Sequence, residues 1–160
     1  MAQQNKSHQL NSGPQDWIEF WVDGIPRPQG SKKLVRGGRM VEASRHVKQW
    51  RDIISARAMV EGPEQPIEGA VGLAVHFFFE RPKSHFRTGK NSHLLRKGAP
   101  QFPTTRSVGD NDKLLRAVCD GLSVTSGGSC ILDDSSVVWI YGQKDWTDDK
   151  AGCMIRIFEL

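Results

Sequence analysis

The sequence lacks any apolar run long enough to cross a bilayer, and its first residues lack the apolar core of a secretory signal. A cytoplasmic protein, with no membrane partner, is the expectation. Cysteine is scarce: Cys119, Cys130 and Cys153 are odd in number and in no zinc-like spacing. That argues against a disulfide framework or a thiolate metal site and fits a reducing compartment. There is no internal repeat. Residues 1–15 lack apolar periodicity and are expected to be a disordered tail before one domain over residues 16–160. The most informative absence is of negative charge. Between Arg81 and Arg106 stand seven Lys or Arg residues and no acid. From Arg27 to Arg57, nine bases face only Glu42 and Asp52. The acids gather later, with eight from Asp110 to Asp149. A net charge of only +4 therefore hides a split into basic surfaces and an acidic centre. That division suits a nuclease, whose cations hold phosphates and whose acids hold a metal ion.

The acidic centre is patterned. Leu114, Leu115, Val118, Cys119 and Leu122 recur on one face of a helix running through residues 109–122. Asp110 is placed to cap its start, and Gly121 lies near its far end. Asp110 and Asp112 thus crowd the first turn, where free backbone N–H groups favour negative charge. Arg116 follows Asp112 by one turn. A second pair, Asp133-Asp134, precedes the β-branched run Val137-Val138-Trp139-Ile140. Carboxylates converging from both pairs would need a hard divalent cation, and an oxygen-only donor set selects Mg²⁺ or Mn²⁺ over zinc. Calcium in an EF-hand loop is excluded, because Leu114 and Leu115 occupy positions that need an oxygen ligand and a turn glycine.

Asp-x-Asp-[Asn/Lys]-Leu-x-[Lys/Arg]-Ala-x-x-Asp-x-Leu followed by Asp-Asp-x-x-Val, over residues 109–138, resembles the core of the RusA family of Holliday-junction resolvases. The resemblance implies a small homodimeric, Mg²⁺-dependent endonuclease of the kind common in phages. It places Asp110, Asp112 and Asp134 as catalytic metal-binding aspartates, Asp133 as the adjacent acid, and Arg116 at the family's catalytic basic position. Two departures stand out: Gly109 replaces a frequent proline, and Arg116 replaces a frequent lysine. Arginine keeps the charge but does not give up its proton.

The remaining elements follow from local pattern. Trp17 to Val22 is a strand. A breaker-rich Pro-x-Pro loop, similar to one in that family, leads to a short hairpin turning at Gly37-Gly38. A helix from about Ser44 to Met59 turns Val47, Trp50, Ile54 and Ala58 inward, and Pro63 and Pro66 enforce a loop after it. Val71 to Phe79 is a central strand; residues 81–108 form a long basic loop; Val137 to Tyr141 and Met154 to Phe158 are strands. Together these predict an α/β (α+β) fold, a small mixed β-sheet covered by two main helices.

Taken singly, each acid has a plainer role: Asp110 as a cap, Asp112–Arg116 as a solvated ion pair, Asp133-Asp134 as a turn. Their joint spacing favours a site. Arg27, Lys32, Lys33, Arg36, Arg39, Arg87, Lys90, Arg106 and Lys113 are the expected DNA contacts. Arg45, Lys48 and Arg51 read as the wet face of their helix, His85 and His93 as loop polar groups, and Trp17, Trp21 and Trp50 as core. The expected substrate is four-way junction or branched DNA. The alternatives are a branched-DNA-binding protein that does not cut, which would tolerate loss of the carboxylates, and a metal-dependent nucleotide-diphosphate transferase, for which no nucleoside pocket is evident.

Overall fold

The computed structural model describes residues 16–30, 32–42 and 45–160, so the expected tail and the Ser44 cap lie outside the described residues. In chain order the elements are β1 (Ile18–Asp23), β2 (Lys32–Val35), β3 (Arg39–Glu42), α1 (Arg45–Glu61), β4 (Val71–Glu80), α2 (Asn111–Leu122), β5 (Val137–Thr147) and β6 (Gly152–Glu159). Four strands form a mixed sheet in the order β1-β6-β4-β5, and β2 pairs with β3 as a separate hairpin. Gly37 and Gly38, both at positive φ, make its turn as expected. The fold is α+β, as the alternation of apolar runs predicts.

Strand β6 runs antiparallel to β1 and β4, whereas β4 and β5 are parallel. Parallel neighbours require a crossover. Here the crossover is the chain from 81 to 136, which holds the basic loop, α2 and both acid pairs.

The core lies between the helices and one face of the sheet. Helix α1 presents Val47, Trp50, Ile54 and Ala58, all buried. They meet Phe20, Val22, Leu73, Val75, Phe77, Ile155 and Ile157 from the sheet, and Leu114, Ala117, Val118 and Leu122 from α2. Burying each large side chain contributes about 1.5–3 kcal/mol. Gly121 is no helix stop. It sits where α2 crosses α1, and a Cβ there would lie 2.9 Å from Ile54 Cγ2. The glycine marks a close helix approach, which periodicity alone does not register.

Two other expectations need correction. Strand β5 runs on to Thr147 through Gly-Gln-Lys-Asp, a stretch with no apolar alternation, because it pairs with β4 as far as Glu80. Tertiary pairing overrides local propensity there. Trp50 is core, but Trp17 is 40% exposed. It packs on Phe158 and Trp139, with ring centroids 4.2 and 6.4 Å away. Its face of the sheet, unlike the other, is partly open to solvent.

Candidate active site

Helix α2 begins with a backbone cap, not a side-chain one. Asp110 occupies the cap position with extended φ and ψ, and its carbonyl accepts the Leu114 N–H at 3.1 Å. Its carboxylate, however, makes no cap hydrogen bond. It accepts instead from Lys113 Nζ at 2.8 Å. That contact and the Lys113 charge hold the Asp110 carboxyl below its ordinary value and raise the Lys113 ammonium above its own, with Lys144 and Arg106 adding to the pull on Asp110. Gly109, at φ +90°, makes the entry turn, where a Cβ would strike the Pro28 ring at 2.4 Å. Pro28, Gln29, Gly30, Arg106, Gly109, Asp110 and Lys113 surround a cleft of about 480 Å³. The loop after β1 is thereby folded onto the helix start, and Gln29 N–H donates to the Lys113 carbonyl at 3.0 Å.

The second acid pair divides in the same way. Asp133 caps the short turn Asp134–Ser136, accepting from Ser135 N–H at 3.0 Å and from Thr125 Oγ1 at 3.1 Å. The Ser135 contacts, with Thr125 assisting, push its carboxyl below the ordinary value. Asp134, next in sequence, touches the Asp133 carboxyl but receives none of these donors. It lines a cleft of about 280 Å³ together with Asp112, Leu115, Arg116, Cys119, Val137 and Ile140. So α2 and the turn before β5 bring Asp112, Arg116 and Asp134 into one cleft, while Asp110 borders the neighbouring one. The simple Asp112–Arg116 ion pair does not form; among the described residues Asp112 and Arg116 make no ion pair or side-chain hydrogen bond, and the side-chain hydrogen-bond partner of Asp134 is the Asp133 carboxyl. One turn further along α2, Asp120 is drawn away to α1, where it accepts from Arg51 Nη1 at 3.0 Å. Arg51 therefore bridges the helices and is not a wet-face residue.

The expected DNA contacts are spread more widely. Arg106 and Lys113 flank Asp110. Arg27 borders a separate groove beside His46 and Trp50. Arg36 is exposed at the hairpin turn, and Lys90 is exposed in the basic loop. Arg87 folds back to donate to the Leu95 carbonyl. Lys32, Lys33 and Arg39 belong to β2 and β3, and their side chains lie outside the described residues. Nothing in the sequence singled out Lys144, whose ammonium donates to the Gly109 carbonyl at 3.0 Å. The available signal was its place as the first charged residue of a strand whose preceding residues, Val137 to Gln143, are all uncharged.

Residues 23–158 match the family model for the endodeoxyribonuclease RusA. The chain belongs to the RusA family. It is therefore an endodeoxyribonuclease, a hydrolase of a family that acts on Holliday junctions. No curated protein matches the sequence. The matched span contains both acid pairs, Arg116 and the whole basic loop, and no helix among the described residues is long and apolar enough to cross a membrane.

Nucleases of this kind generally need divalent metal ions. Among the described residues no three His, Cys, Asp or Glu side chains form a ready-made metal cage. Mg²⁺ does not demand one. It keeps several waters and is held by one or two carboxylates together with substrate phosphates. Two exposed carboxylates without cation partners, sharing one cleft and offering only oxygen, fit that requirement.

Proposed function

We propose that this RusA-family enzyme resolves four-way DNA junctions by hydrolysing one phosphodiester in each of two strands, as a homodimer dependent on Mg²⁺ or Mn²⁺. The observation that carries the reading is the shared cleft of Asp112, Asp134 and Arg116, three charged groups with no ion-pair partner among the described residues. At a protein surface such charges gain little by pairing with one another, so they stay available to a ligand. Left apart, they suit a substrate that brings both a phosphate and its counter-ion.

Asp112 and Asp134 would hold the metal through their carboxylate oxygens, and Asp110 would join them, since its exposed ion pair with Lys113 is of the weak kind. Asp133 orients the turn that carries Asp134. The metal, when bound, lowers the pKa of a water and neutralises phosphate charge. The Arg116 guanidinium binds the scissile phosphate and stabilises charge that builds on its oxygens during in-line attack; it stays protonated throughout. Leu115, Val137 and Ile140 give the cleft an apolar wall that strengthens these interactions. The products are a 5′-phosphate and a 3′-hydroxyl. Lys113, Arg106 and the basic loop hold the flanking backbone.

A second copy is supported by β5. It ends the sheet, and Val138, Trp139, Ile140 and Tyr141 are each 44–64% exposed along it. Exposed apolar edges of this kind are interaction surfaces, and two-fold pairing matches the two symmetric cuts.

The test compares a synthetic four-way junction with linear duplex, in Mg²⁺ or EDTA, for wild type and Asp112→Asn. Paired symmetric nicks that need metal and vanish in the variant, with binding retained, are expected. A wild type that binds the junction and never cuts it in Mg²⁺ or Mn²⁺ would overturn the proposal.

A further inference from the structure

The two acidic half-sites come from distant parts of the chain, and their separation must be set by something. Asp134 is attached to β5 directly, because its turn runs straight into Val137. Asp110 and Asp112 ride on the start of α2, which the core holds only from Leu114 onward. Two contacts close this gap. Asn111 Nδ2 donates to the Gly142 carbonyl at 2.9 Å, and Lys144 Nζ donates to the Gly109 carbonyl at 3.0 Å. Both acceptor and donor on the sheet side belong to β5, two residues apart.

We infer that Asn111 and Lys144 form a two-point tether that fixes the first turn of α2 against β5 and so sets the spacing between Asp110–Asp112 and Asp134. This rests on the active-site reading above. Both residues are positioning residues: neither is assigned contact with metal or DNA. Asn111 lies between the two aspartates, so its bond acts on both. The contact is possible because residue 142 is glycine; a Cβ there would lie 2.8 Å from Leu115 Cδ1 and 3.0 Å from Asn111 Nδ2. Lys144 is held in register by pairing opposite the fully buried Phe77. From the other side Pro28 blocks Gly109. The helix start is thus clamped between a proline ring and a strand.

The arrangement is not explained by stability. Asn111 Oδ1 is buried with no hydrogen-bond partner, which costs free energy that an apolar side chain of similar shape would avoid. What the amide supplies is position. Supports of this kind, one step removed from metal ligands, change affinity or activity by about ten- to a hundredfold when removed.

The experiment uses full-length protein and four variants: Asn111→Ala, Lys144→Met, the double variant and Lys144→Arg. Single-turnover junction cleavage is measured across a Mg²⁺ titration, junction binding is measured separately in EDTA, and amide exchange at Leu114 is followed by NMR in metal-free protein. Expected for the double variant are cleavage slowed about ten- to a hundredfold, a higher Mg²⁺ requirement, unchanged junction binding and faster Leu114 exchange, with Lys144→Arg restoring most of the rate. The single variants fall between. Wild-type cleavage and exchange in the double variant would overturn the tether, as would loss of binding in proportion to loss of rate, which would make Lys144 a DNA contact. Asp112→Asn is run alongside. If it cuts normally, the active-site reading fails; if it is dead while the double variant is fully active, only the tether fails.

Discussion

Asp110 and Asp133 differ from Asp112 and Asp134 in one respect that matters. The first two are engaged by protein, one by Lys113 and the other by Thr125 and Ser135. Asp112 has no such partner, Asp134 meets only the Asp133 carboxyl, and both face a common cleft with Arg116. Each acid pair is thus one anchored and one open carboxylate. Crowding two like charges is unfavourable, and the Lys113 charge at Asp110 and the neutral donors at Asp133 each stabilise the ionised form of one member of its pair. The anchored acids also shape the turns that aim the open ones.

The comparison is sharpest in a set of Asp→Asn variants. Asp134→Asn, like Asp112→Asn, is expected to slow single-turnover junction cleavage on the order of 10³-fold, with binding in EDTA retained. Equal losses at Asp133 and Asp134 would erase the distinction. Next in size, Arg116→Ala should slow cleavage by about 10²-fold, and Arg116→Lys by less, since charge is kept and the planar fork is lost. If Arg116→Ala instead weakened binding alone, its role would be docking. Asp133→Ala should cost about tenfold in rate, as a support for its neighbour, and should loosen the 134–136 turn, seen as changed amide shifts at Ser135.

The smallest effect concerns protons. Lys113 holds the Asp110 carboxyl below 3.8, so the folded state binds that proton more weakly than the unfolded chain does. The ion pair's contribution is complete above the ordinary value and disappears only as pH falls through the lowered one. Carboxyl-carbon NMR should show the Asp110 titration moving up in Lys113→Met. A titration that stays put would remove Lys113 as its cause.

Much of this was legible in the chain. The inward face of α1, the β4 run and the acidic helix all follow from apolar spacing, since burial imposes that spacing directly. The residues proposed for the site stood out because their charges fall in blocks and at the family's spacing. What spacing could not give was which acid of each pair would be anchored. That depends on Thr125 and Ser135 for one and on the reach of Lys113 for the other. Nor could it give Gly121, Gly142 or Lys144, whose roles arise only when distant segments meet. Trp17 misled because an aromatic β-run looks alike whether its face is covered or open.

The crossover between β4 and β5 has a kinetic side. The two strands pair only after the chain from 81 to 136 has closed on itself, a long loop whose ordering entropy must be met before any parallel contact forms. The cleft shared by Asp112, Arg116 and Asp134 therefore takes shape only once that loop has closed. Detachment of β5 alone would disperse the two acid pairs while β1, β6 and β4 stayed paired.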